Sequence, residues 1–166
     1  MPSFCGATLA LMSRLYRPYD AAYADLCLVH AKYAYDFAKT KNGTVGAGSF
    51  YGANGNYKDD YSSMCAELFW ATNTASYKTE ALSFSIAKNS GADITGNSYG
   101  FDYSNNGDIA VYNQFLLGNT AAKTVLNDIV SMYLGNVQGD GQFNGGNTSC
   151  GPTRSNANTA FIVALW

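Results

Sequence analysis

The sequence predicts an all-α chain built of helical hairpins, and three observations carry that expectation. Apolar residues recur at helical spacing in seven successive segments. No stretch of useful length alternates with the period of two that marks a half-buried strand. Short links alternate with long Gly-, Asn- and Ser-rich loops, as they do when helices pair antiparallel.

The first helix is expected over about Phe4 to Tyr16, with Leu9, Met12, Leu15 and Tyr16 on its apolar stripe. Arg17-Pro18 ends it, because the residue before proline disfavours the α region. Asp20 supplies an N-capping oxygen for the second helix, about Ala21 to Thr40, whose stripe is Tyr23, Leu26, Cys27, His30, Ala34, Phe37 and Ala38. Asn42-Gly43 closes it with residues that accept a left-handed backbone. The loop Gly43 to Asn56 follows, with Thr44 to Tyr51 a candidate short hairpin.

The third helix, about Lys58 to Thr72, presents Tyr61, Met64, Cys65, Leu68 and Phe69. Asp59 and Asp60 fall in its first turn, where negative charge suits the helix dipole. The fourth is expected over about Ser76 to Ser90, before a second loop from Gly91 to Gly107. The fifth and sixth span about Asp108 to Gly118 and Ala121 to Leu134. A third loop, Gly135 to Asn156, precedes a seventh helix from Ala157 to Trp166. The 166 residues read as a single helical domain.

Composition removes several classes of function. Hydrophobic residues make up 47% and charged residues 13%, which is too apolar for a disordered chain. With a net charge of -2 and no cluster of Lys and Arg, nucleic acid is not an expected partner. No apolar run reaches the about 18 residues of a membrane span. Cys5, Cys27, Cys65 and Cys150 have no C-x-x-C pair and only His30 beside them, so no zinc site is expected. The cysteines read as free and buried, with no disulfide pairing indicated. Thirteen Tyr, nine Phe and two Trp are the more telling feature, because rings with one wet and one dry edge suit both sugar clefts and protein interfaces.

Four stretches, in order, resemble those of glycoside hydrolase family 9. Leu15-Tyr16-Arg17-Pro18-Tyr19-Asp20-Ala21-Ala22-Tyr23-Ala24-Asp25, leading to Ala34-Tyr35-Asp36-Phe37-Ala38, is similar to one of its helices. Gly55-Asn56-Tyr57-Lys58-Asp59-Asp60 with Ala66-Glu67-Leu68-Phe69-Trp70-Ala71-Thr72 is similar to its acidic turn and the helix after it. Phe101-Asp102-Tyr103-Ser104-Asn105-Asn106-Gly107, followed by Leu116-Leu117, resembles its tryptophan-centred loop, with Tyr103 where Trp is usual. Asn158-Thr159-Ala160-Phe161-Ile162-Val163-Ala164-Leu165 resembles a later helix.

The resemblance implies part of an (α/α)6 barrel and inverting acid/base hydrolysis of a β-1,4-glucan such as cellulose, outside the cell. It also implies a polysaccharide partner, with Tyr51, Tyr57, Phe101 and Tyr103 as ring-stacking candidates. Inversion needs two carboxyl groups about 6.5–9.5 Å apart. Asp59 and Asp60 are the tight acidic pair of this chain and its catalytic candidates. By resemblance the same two residues, with Asn105, are candidate ligands of a structural calcium; helix capping is the simpler reading of both.

The family's Asp-Ala-Gly-Asp base motif does not occur in the sequence, and its acid Glu lies beyond the last matching helix. The expectation is therefore a shortened form from the middle of the barrel. The alternative is a non-catalytic glucan-binding or structural module. A partial barrel would leave apolar helix faces open, so self-association is expected.

Overall fold

The computed structural model describes residues 2–41, 57–88, 90–96, 106–135 and 152–166. They form helices α1 (Pro2–Tyr16), α2 (Ala21–Thr40), α3 (Lys58–Thr72), α4 (Ala75–Ala81), α5 (Gly107–Leu116), α6 (Thr120–Gly135) and α7 (Pro152–Leu165), with strands β1 (Ile86–Ala87) and β2 (Ile94–Thr95). The protein is all-α, as the periodicity predicts. Among the described residues no helix is long and apolar enough to cross a membrane. The candidate hairpin at Thr44 to Tyr51 lies outside the described residues. The chain divides into two compact units, Met1–Phe84 and Ser85–Trp166.

In the first unit α1 and α2 form a tight hairpin. The Asp20 N–H donates to the Tyr16 carbonyl at 2.8 Å, and its side chain accepts from the Tyr23 N–H at 2.9 Å, capping α2 as expected. The helices do not pack through the large apolar stripes that their sequences suggest. The buried face of α1 is Ser3, Gly6, Ala10 and Ser13, and that of α2 is Ala24, Cys27, Ala31, Tyr35 and Ala38. Leu15, Tyr16, Tyr23, Leu26 and Phe37 stay exposed. Small residues let backbones approach closely, and the neighbouring α3 fills the remaining space. A Cβ on Gly6 would lie 2.3 Å from Met64 Sδ and 3.1 Å from Ala34 Cβ.

Gly6→Ala is thus expected to destabilise the protein by about 1 kcal/mol. Overpacking costs about 1–3 kcal/mol, and the gain in helix propensity offsets about 1 kcal/mol of it. Urea unfolding measures this. A stabilised variant would mean that α1 has room to move.

α3 is buried on almost every side: Asp59, Tyr61, Ser62, Ser63, Met64, Cys65, Ala66 and Leu68 are all inside. The Ser62 hydroxyl donates to the Ala81 carbonyl at 3.0 Å, and Arg14 pairs with Glu67, so α3 is tied to both α4 and α1. Asn73, left-handed at φ 55°, ends α3 with its N–H on the Phe69 carbonyl.

The expected fourth helix, Ser76 to Ser90, needs correction: α4 stops at Ala81. The chain then enters the second unit through a strand that periodicity did not reveal. β1 and β2 pair in parallel, Ile86 with Ile94 and Ala87 with Thr95. Two residues per strand are too short to leave an alternating pattern. The Asp93 carboxylate closes the link by accepting from the Ser85 N–H at 3.0 Å and the Ser85 hydroxyl at 2.8 Å.

In that unit Gly118, at φ 97°, turns the chain from α5 towards α6, and Asn119 accepts from the Ala121 N–H at 3.1 Å. Ile129, Val130, Tyr133 and Ile162 form the core between α6 and α7. The Trp166 indole packs edge-on to Phe115 and donates to Asn127 at 2.8 Å. α7 starts at Pro152, ahead of the expected Ala157, because proline fits the first helical position, where no N–H is needed.

Candidate functional site

The acidic turn opens α3. Tyr57 is its N-cap residue, with φ -109° and ψ -3°, and makes no side-chain capping bond. Its carbonyl accepts from the Tyr61 N–H at 3.0 Å, which starts the helix and sets Asp59 and Asp60 in the first turn. Consecutive helical residues point about 100° apart, so the two carboxyl groups diverge. Asp59 is 5% exposed, whereas Asp60 and Tyr57 are half-buried. Water therefore has better access to Asp60 than to Asp59.

Tyr51, Phe101, Tyr103 and Asn105 lie outside the described residues. Of the seven positions singled out by sequence, the described part of the structure thus holds Tyr57, Asp59 and Asp60, side by side on one helix start. Carboxylate oxygens suit a hard cation such as calcium, but six to eight oxygens are needed. Two divergent carboxylates do not make that set, and no group of three His, Cys, Asp or Glu residues suited to a metal occurs among the described residues.

The sequence reading missed a polar cluster joining α2, α3 and α4. In the structure the Glu80 carboxylate accepts from the Tyr35 and Tyr61 hydroxyls, each at 2.6 Å, and from Lys39 Nζ at 3.1 Å. Lys39 also donates to the Tyr35 oxygen at 3.1 Å. Tyr35 packs its ring on Tyr61 and edge-on to Tyr77.

Burial alone would push the Glu80 carboxyl up, but the hydrogen bonds from Tyr35, Tyr61 and Lys39 outweigh it and hold it below the usual carboxylate value. Burial and the Glu80 bond push Tyr35 up to about 12, and the same two causes raise Tyr61. Burial also raises the Cys65 thiol, so it is not a thiolate nucleophile. A carboxylate already engaged by three donors is poorly placed to take a proton from water. This cluster ties helices together. The one hint of it in the sequence is the Tyr35–Lys39 spacing of one helical turn; the other partners come from distant segments.

Glu67 of α3 pairs with Arg14 of α1. In the second unit Asp108, in the first turn of α5, is fully buried and accepts from the Tyr133 hydroxyl of α6. Cys5, Cys27 and Cys65 are free, as expected, but Cys5 is exposed rather than buried; Cys150 lies outside the described residues.

Comparison with known proteins places these features in a family. The chain is 34% identical over 76 residues to Endoglucanase 13 of Oryza sativa subsp. indica, covering 43% of this chain and 12% of that protein. It is 37% identical over 76 residues to Endoglucanase 14 of Arabidopsis thaliana, covering 43% of this chain and 15% of that one. It is 31% identical over 101 residues to an endoglucanase of Dictyostelium discoideum, covering 58% of this chain and 14% of that one. The matching segments thus span about one seventh or less of each relative's length. The model of Glycosyl hydrolase family 9 matches residues 3–166, and the chain belongs to that family.

Proposed function

We propose that the protein acts on a β-1,4-glucan such as cellulose as an endoglucanase-type glycoside hydrolase, by inverting acid/base chemistry. The observation that carries this reading is the family match over residues 3–166, together with relatives named endoglucanase. In this reading Asp59 and Asp60 are the candidate acids. Asp60, the more open of the two, meets water, and the buried Asp59 holds the turn. Tyr51, Tyr57, Phe101 and Tyr103 stack on sugar rings. The substrate is an insoluble polymer, so the reading places the protein outside the cell.

A structural calcium on Asp59, Asp60 and Asn105 is the alternative use of the same two carboxylates, and it excludes them as the catalytic acids. It would neutralise the acidic turn, and no step of hydrolysis passes through it.

The second reading is a glucan-binding module without turnover. It is favoured by the burial of Asp59 and by its divergence from Asp60, since inversion needs two carboxyl groups facing one sugar across a gap. One experiment separates the two. Reducing ends released from carboxymethylcellulose and depletion of protein onto insoluble cellulose are measured together, in calcium and in EGTA. Hydrolysis that falls about 100-fold or more in Asp60→Asn supports the enzyme. Retention on cellulose without reducing ends, weakened in Tyr103→Ala, supports the module. Neither retention nor release would end both readings. A melting temperature unchanged by EGTA would remove the calcium.

A further inference from the structure

The outward face of α2 carries a seam that the first unit leaves open. Tyr23, Leu26, His30, Tyr33 and Phe37 follow one another at intervals of three, four, three and four residues. That is the spacing of helices that pack side by side along their length. All five are exposed, and Tyr33 is 65% so. Val29 flanks the seam, and Tyr16 extends it across the hairpin, its ring edge-on to Tyr23 at 5.0 Å with Tyr19 beyond. The opposite face of α2, made mostly of small residues, is already used within the hairpin. The charged residues Asp25, Lys32, Asp36 and Lys39 lie together on a third side.

We propose that this face is a self-complementary interface on which a second copy of the chain docks, α2 antiparallel to α2 about a two-fold axis. An antiparallel seam sets Leu26 against Phe37 of the other copy and His30 against Tyr33. The same contacts recur on both sides, as two-fold symmetry requires. The area fits such a partner. At about 150–250 Å² for each large side chain, scaled by their exposures, the open residues from Tyr16 to Phe37 present on the order of 800 Å². A stable interface buries about 800 Å² on each partner, whereas the largest apolar patch of an ordinary monomer is about 300–600 Å². The seam has no charged partner to match, and a second copy brings the same neutral rings. The interface is independent of glucan binding and does not rest on the proposed hydrolysis.

Sedimentation velocity of the 166-residue chain from about 1 to 100 µM tests it. A concentration-dependent dimer is expected. Leu26→Glu and Phe37→Glu should each shift the chain to monomer with helical circular dichroism unchanged, since both positions are exposed. Lys32→Glu, off the seam, should leave the dimer intact. In a Leu26→Cys/Phe37→Cys variant, mild oxidation should crosslink copies beyond the level seen with the wild-type cysteines. A monomer throughout the range, or a dimer that survives both glutamate variants, overturns the proposal. So does recovery of the seam residues protected from hydrogen exchange in the monomer, which would place part of this same chain over them.

Discussion

Replacing Asp108 by alanine is expected to cost about 3 kcal/mol of folding stability. Asp108 and Tyr133 are both fully buried, and the Tyr133 hydroxyl donates to the Asp108 carboxylate between α5 and α6. Alanine removes that acceptor from the tyrosine inside an apolar core and leaves a small void. Leaving a buried hydroxyl without its acceptor costs about 1–3 kcal/mol, the void adds to that, and other contacts of the pair soften the loss. Asp108→Asn keeps an oxygen that can accept from Tyr133 and should cost roughly half as much. Urea unfolding of the two variants beside Tyr133→Phe measures these differences. If Asp108→Ala lies within about 0.5 kcal/mol of wild type, the pair is not a stabilising element.

Glu80→Ala should be the second most damaging substitution, at about 2–3 kcal/mol. It takes the shared acceptor from the Tyr35 and Tyr61 hydroxyls. The estimate is kept low because the Glu80 side chain is 28% exposed and water can replace part of the loss. For a unit of this size such a change lowers the melting temperature by roughly 10–20 °C if the unit unfolds on its own. A Glu80→Gln and Tyr61→Phe double-mutant cycle should return a coupling of about 1 kcal/mol or more. A coupling near zero would show that the two groups share no energy.

The pH dependence has a definite sign. The folded Glu80 carboxyl sits below its unfolded value, so its contribution is complete above about pH 4.3 and is lost as pH falls through the folded value. The gap between wild type and Glu80→Gln should therefore narrow below about pH 4. Glu67 acts in the opposite sense. Burial raises it more than Arg14 lowers it, so its contribution is complete in acid and is lost as pH rises. Tyr35, raised to about 12, loses its contribution only in strong alkali.

Much of the fold was legible because it rests on local rules. The bounds of α2 and α3 follow from Asp20 and Pro18 at one end and from the acidic turn Asp59-Asp60 at another. The end of α4 was not legible, because Ser83 to Ala87 keep a helix-compatible pattern until Ile86 finds Ile94 in a pairing set from outside the segment. Of the candidate site, the acidic turn was visible as two adjacent letters. Its geometry was not, since one residue's step around a helix decides that Asp59 is inside and Asp60 is not.

The sequence by itself determined that this chain is helical, where most of its helices begin and end, and, through four ordered motifs, the family to which it belongs. Those properties depend on neighbours within a turn or two. Only the tertiary structure decided which face of each helix is the inner one. Ser3, Gly6, Ala10 and Ser13 face inward on α1, while Leu15 and Tyr16 remain outside. Hydrophobicity says that an apolar side chain gains by burial somewhere; close packing decides which surface lies near enough to bury it. Tertiary structure likewise brought Tyr35, Tyr61 and Glu80 together across 45 and 19 residues of sequence, a meeting that depends on helix packing and leaves no periodic trace in the chain.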